Sequence, residues 1–175
     1  MSYKFNPFSG NFDNTKDQVY QATYYKTSQQ SMAPHPTGGS TDVTFDATTE
    51  WSNIGGYITH TAGSANLIVS KTGLYQLEFN VTIVANGGSW NAGTNKVASI
   101  DIIRSPELEQ VSIAQMAAMA LTPEYAQNVS SSFYLIAGDI INLRVQGNHS
   151  TATPYIKPLT NTFDLNTWFS WRNIN

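Results

Sequence analysis

The stretch "LYQLEFNVTIV", Leu74 to Val84, decides the fold. Its side chains divide by parity: Tyr75, Leu77, Phe79, Val81 and Ile83 on one face, Gln76, Glu78, Asn80 and Thr82 on the other. A step of two is the period of a β-strand and not of a helix. Alternation sustained over this length predicts a strand with one face in a core. Just before it, "SKTG" (Ser70 to Gly73) reads as a turn and "NLIVS" (Asn66 to Ser70) as the preceding strand.

The same pattern continues downstream. After the loop "NGGSWNAGTN" (Asn86 to Asn95), Ala98, Ile100 and Ile102 alternate with Ser99, Asp101 and Ile103. "VSSSFYLIAGDIINLRVQG" (Val129 to Gly147) reads as two strands around a turn at Ala137, Gly138 and Asp139, with Ile141, Leu143 and Val145 sharing a face. "TFDLNTWFSWRNI" (Thr162 to Ile174) closes the chain as a strand with Phe163, Leu165, Phe169 and Trp171 in phase. "VSIAQMAAMAL" (Val111 to Leu121) has the Ala, Met and Gln content of a helix. Its step of two and the flanking Pro106 and Pro123 favour a strand. About eight to ten strands without a convincing helix predict an all-β, antiparallel jelly-roll sandwich over residues 43–175.

Residues 1–42 read differently. "YKFNPFSGNF" (Tyr3 to Phe12) carries Tyr3, Phe5, Phe8 and Phe12, broken by Pro7 and Gly10, and its spacings fit neither a helix nor one strand face. "SQQSMAPHPTGGSTD" (Ser28 to Asp42) ends the section with the Pro and Gly content of an extended connector. The whole section is therefore expected to form an N-terminal arm. Tyr3, Phe5, Pro7, Phe8 and Phe12 are its partner-binding residues, filling pockets on another subunit.

Composition excludes several classes. Charged residues make up 12% and hydrophobic ones 41% of 175 residues, which allows a packed core and argues against disorder throughout. A net charge of -3 with scattered Lys and Arg gives no footprint for nucleic acid. The absence of cysteine removes disulfides and thiolate metal sites together. No apolar run reaches the ~18 residues that suggest a bilayer span, so no membrane insertion is expected. No charged and then apolar leader opens the chain, which predicts synthesis in the cytosol without export.

The order of the strand motifs resembles the globular head of the C1q/TNF-like superfamily. "KTGLYQLEFNVTI" resembles that family's turn and Gly-aromatic strand, "SSSFYLIAGDIINLRV" its hydrophobic strand and Gly-Asp turn, and "NTFDLNTWFSW" its closing aromatic strand. The resemblance spans about three quarters of the chain, residues 43–175. It implies a jelly roll that assembles as a homotrimer. Ile103, on the outward face of its strand, and Ala117, Ala118 and Ala120 are the residues expected to allow close approach at the trimer interface. "YKFNPFSGNFD" in turn resembles a short N-terminal segment of the KFNPFTG type found in small phage and virus structural proteins.

Together these features lead to the expectation of a virion structural protein assembled in the host cytoplasm. It would be a trimeric decoration or cement protein of a bacteriophage capsid, attached through its arm to the major capsid protein or other virion subunits. The alternatives are a receptor-binding spike or tail-fibre tip and, from another class, a carbohydrate-binding or carbohydrate-active module. For a host-surface glycan, Trp90 in its Gly/Asn loop is the surface contact.

No catalytic constellation is visible. His35, His60 and His149 are isolated, and Asp101, Asp139 and Asp164 sit in or beside strands and turns without a paired carboxylate. No nucleophile elbow or phosphate-cradling glycine loop occurs, so neither an enzyme nor a cofactor or metal site is expected. Sequons at Asn80, Asn128 and Asn148 read as chance products of an Asn, Ser and Thr-rich chain.

Overall fold

The computed structural model describes residues 2–5, 12–15, 20–32, 40–46, 56–86, 95–104, 107–117, 124–147, 153–158 and 167–174. Leu74–Val84 lies within β8, Gly73–Asn86, and the face read as apolar is the buried one. Tyr75, Leu77, Phe79, Val81 and Ile83 are each 0% exposed. On one side β8 pairs over its length with β11, Glu124–Leu135, in unbroken antiparallel register. On the other side two strands share it: β14, Trp168–Asn173, against residues 75–80, and β13, Thr153–Ile156, against residues 83–86.

That change of partner leaves a break in the ladder at Thr82, where a buried amide needs a substitute acceptor. The Thr167 hydroxyl supplies it, accepting from the Thr82 N–H at 3.3 Å, while the Thr82 carbonyl accepts from Lys157 N–H at 2.8 Å. Thr167 is 0% exposed for this reason. The sheet is completed by β3, Gln21–Tyr25, beside β14, and by β4, Gln30–Ser31, beside β13.

The facing sheet is built around β12, Ile140–Gly147. It pairs on one side with β9, Asn95–Arg104, which in turn pairs with β10, Glu107–Ala117. On its other side β12 pairs first with β7, Asn66–Val69, and then with β5, Ser40–Asp42; β6, Ile58–His60, lies outside β7. A bond from Val43 N–H to Leu143 O at 2.7 Å bridges the switch from β7 to β5. Inward-facing Ala98, Ile100, Ile102, Ile141, Leu143 and Val145 meet the β8 row, with Phe169 and Trp171 of β14, in one core. Residues 111–117, ambiguous in sequence, are strand.

The turn between β11 and β12 falls at the Ala137, Gly138 and Asp139 expected for it. Gly138 has φ 101°, a conformation that only glycine adopts without strain. Asp139 closes the turn, accepting from Ile136 N–H at 2.9 Å, and Arg104 clamps the carboxylate with two bonds of 2.8 and 2.7 Å.

The arm expected over residues 1–42 is corrected beyond residue 20. β3, β4 and β5 are strands of the sandwich, and the reason is visible in their contacts. Ala22 and Tyr24 of β3 face the core at 1% and 4% exposure. Side chains also lace the two halves of the connector together. Gln30 Nε2 donates to Asp42 O at 2.7 Å while its Oε1 accepts from Thr44 N–H at 3.0 Å, and Lys26 Nζ donates to Thr44 O at 2.8 Å. Only the first part stands apart: β1, Ser2–Phe5, pairs with β2, Phe12–Thr15, in a two-stranded sheet of its own. Pro7 and Phe8 lie outside the described residues, as do Pro34 and Gly38 of the connector.

Replacing Phe79 by Ala is expected to cost about 3–5 kcal/mol of unfolding free energy in urea titration, because truncation of this buried ring loses its transfer free energy and leaves a cavity in the core. Ser132→Ala, on the exposed face of β11, should stay within ~0.5 kcal/mol of the parent. Equal losses would contradict the assignment of faces.

Candidate interaction site

The outward face of the β8 sheet is the most distinctive surface. Its strands place side chains in cross-strand rows, the unit through which neighbouring strands interact. One row is apolar. Leu74 stands opposite Tyr134, and the Ile174 N–H donates to Leu74 O at 2.9 Å, which sets Ile174 on Leu74's other flank. These residues are 37%, 61% and 39% exposed and, with Ile68, are the exposed large hydrophobics among the described residues. Contiguous exposed apolar groups are a feature to be explained; scattered ones are not.

The next rows are polar: Gln21, Arg172, Gln76 and Ser132 in register, then Thr23, Ser170, Glu78 and Ser130. Between them lies a groove of about 380 Å³, lined by Gln21, Thr23, Gln76, Glu78, Ser170 and Arg172. Arg172 donates to the Gln76 side-chain oxygen, and Glu78 accepts from Asn128 Nδ2 at 3.0 Å. Asn80 and Asn128, the asparagines of two sequons, are direct cross-strand partners in the following row beside Trp168.

The face of the other sheet is organised by ion pairs. Arg144 bridges Asp42 at 2.9 Å and Asp101 at 3.0 Å, and Asp101 is only 2% exposed. Asp101 and Asp139 are therefore each paired with an arginine. Burial alone would raise the Asp139 carboxyl. The hydrogen bonds from Arg104 and Ile136 N–H, with the guanidinium charge, outweigh it and hold the group below the usual carboxylate range. His60 donates to Ser64 O at 3.1 Å and packs between Tyr24 and Phe45, a structural placement. Among the described residues no three His, Asp or Glu side chains gather as a metal site.

The residues singled out in the sequence fall in separate places. Tyr3, Phe5 and Phe12 belong to the N-terminal hairpin, where the register sets Phe5 opposite Phe12 and Tyr3 opposite Asn14. Ile103 is half-buried on the Arg144 face, opposite Ile140 and Leu108, and Ala117 ends β10. Ala118, Ala120, Trp90, Asp164, His35, His149 and Asn148 lie outside the described residues. Trp171 is a core residue at 2% exposure. The Arg172 and Glu78 groove was not anticipated. Its signal lay in the polar half of the alternation in Leu74–Val84, where Glu78 breaks a run of uncharged side chains.

Strand order and paired sheets define the class, an all-β antiparallel jelly roll. No family model and no curated protein matches the sequence. Among solved structures, the chain is similar to murine APRIL at pH 5.0, with a TM-score of 0.58 and 13% identity over 90% of this chain and 100% of that one. It is also similar to Eiger TNF from S. frugiperda, with a TM-score of 0.50 and 12% identity over 90% and 93% of the two chains. At such identities the likeness concerns the fold, which is TNF-like.

Two buried groups make stability depend on alkaline pH. Burial pushes the Lys96 ammonium down to about 8, and burial together with Tyr57 pushes the Tyr75 hydroxyl up to about 12. Unfolded lysine and tyrosine titrate near ~10.4 and ~10. Between about pH 8 and 10 the unfolded chain holds a proton that folded Lys96 has released, so stability rises with pH. Above about pH 10 folded Tyr75 keeps a proton that the unfolded chain loses, so stability falls. The urea midpoint should therefore peak near ~pH 10, and Lys96→Met should reduce the rise while leaving the fall. A midpoint that declines steadily from pH 7 would contradict the burial of Lys96.

Proposed function

We propose that this chain is a non-enzymatic structural protein of a virus particle, a homotrimeric jelly roll that decorates a capsid and is anchored by its N-terminal hairpin. The observation that carries this reading is the separation of β1 and β2 from the sandwich. Among the described strands they pair only with each other, while both sheets and the core are complete without them. A hairpin alone is marginal in water. Its aromatic residues give a reason for it to dock: burying one large aromatic side chain contributes roughly 1.5–3 kcal/mol. Fixing one residue of backbone costs about 1–2 kcal/mol, a loss that prior pairing into a hairpin reduces. The KFNPFTG-type resemblance of the same segment supports a partner within a virus particle.

The homotrimer is supported by the row of Leu74, Tyr134 and Ile174, exposed on a sheet face that a neighbouring copy would cover. Ile103 and Ala117, expected at the interface from the sequence, belong to the opposite sheet, and we propose the Leu74 face in their place. Absence of activity is supported by the ion pairs that occupy Asp101 and Asp139. A fold by itself does not fix function, so the particle is the test.

Mass spectrometry of purified particles should find the protein in many copies per head, as decoration requires, and not in the few copies of a fibre tip. The chain lacking residues 1–15 should remain a folded trimer and lose binding to particles stripped of the native protein. The chain lacking residues 1–42 should fail to fold, since β3, β4 and β5 leave with the hairpin. Full-affinity binding by the shorter deletion would refute the anchor.

A further inference from the structure

We propose that Arg172 and Glu78 pair between copies of this chain, forming a ring of alternating charge that sets the rotational register of the homotrimer. The inference rests on the trimer reading above and adds the contact that specifies it. On one copy the two residues occupy neighbouring strands and adjacent rows, with Arg172 opposite Gln76 and Ser170 opposite Glu78. Both line the same groove. Yet the structure does not join them: Arg172 turns to the Gln76 amide and Glu78 to the Asn128 amide. Among the described residues neither has an ion-pair partner, whereas Lys26, Arg104, Arg144 and Lys157 each have a carboxylate.

A solvated surface charge needs no partner. These two, however, lie one row and two rows from Leu74, Tyr134 and Ile174, on the face whose apolar row favours being covered. Covering that face takes water from both charges, which is unfavourable unless each is paired. A second copy supplies both missing partners, because among the described residues the face carries one charge of each sign outside an ion pair, Glu124 being held by Lys157. Around a threefold axis Arg172 of each copy meets Glu78 of the next, and the ring closes with no charge left over. The same arrangement disfavours other registers, in which like charges would meet.

Sedimentation velocity on the full chain tests this with R172E, E78R and the double reversal E78R/R172E. The parent should be a trimer. Each single reversal places like charges in the ring and should raise the concentration needed for assembly by more than about tenfold, and the double reversal should restore it. Single reversals that assemble like the parent overturn the ring. So do reversals that assemble normally but lose binding to particles, since the face would then serve a different partner. A parent that is monomeric at micromolar concentration overturns the trimer reading itself, a result distinct from loss of the ring alone. A second measurement guards against misfolding of the charge variants. The chain has no cysteine, so E78C/R172C under mild oxidation should yield covalent trimers on a denaturing gel. Monomers alone, from a disulfide closed within one copy or from none, overturn the pairing.

Discussion

The burial of one face of β8 is the constraint on which the rest of the structure depends. This strand is flanked along its length by β11 and shared on its other edge by β14 and β13. Five side chains, from Tyr75 to Ile83, have no access to water there. A shift of pairing by one residue would turn all of them outward and Gln76, Glu78, Asn80 and Thr82 inward, so the register is held firmly. The price of having two partners on one edge is a gap in the ladder at Thr82, and Thr167 fills it with a hydroxyl. The closing strand is thereby fixed to the central one at the point where the sheet changes partner.

With the inward face assigned to the core, each sheet is left an outward face, and the two faces differ. One pairs Arg144 with Asp42 and Asp101 and also exposes Ile68, in register with Ile140 and Ile103. The other exposes an apolar row beside two charges that, among the described residues, find only amide partners. Self-association through the second face is what we propose for it, since covering it would satisfy both its apolar row and its opposite charges. The N-terminal hairpin contributes to neither sheet, which leaves it available to another partner. In the proposed function, assembly and attachment thus draw on separate parts of the chain.

Much of this was legible in the sequence where one residue type dictates one environment. The alternation in Leu74–Val84 and in Ile141, Leu143 and Val145 marks buried faces because polar and apolar side chains separate cleanly. The Gly138 turn is legible because only glycine tolerates its φ. The boundary of the arm was not legible. "QATYY" buries Ala22 and Tyr24, but it is short, and it leans on β14 from the far end of the chain. The lacing of Gln30 to Asp42 and Thr44 likewise depends on side-chain bonds to backbone that leave no periodic trace. The groove escaped notice because its polar residues are ordinary for a solvated strand face. Only the register that aligns them in rows makes it a site.

Hydrogen–deuterium exchange on this chain, free and bound to particles, distinguishes a sandwich with a separate anchoring hairpin from one in which the hairpin is part of the fold. The β8 amides should resist exchange in both states, while those of residues 2–5 and 12–15 should exchange rapidly in the free protein and become protected on the particle. Protection of residues 2–5 and 12–15 that is equally strong in the free protein, or absent on the particle, would contradict anchoring by the hairpin.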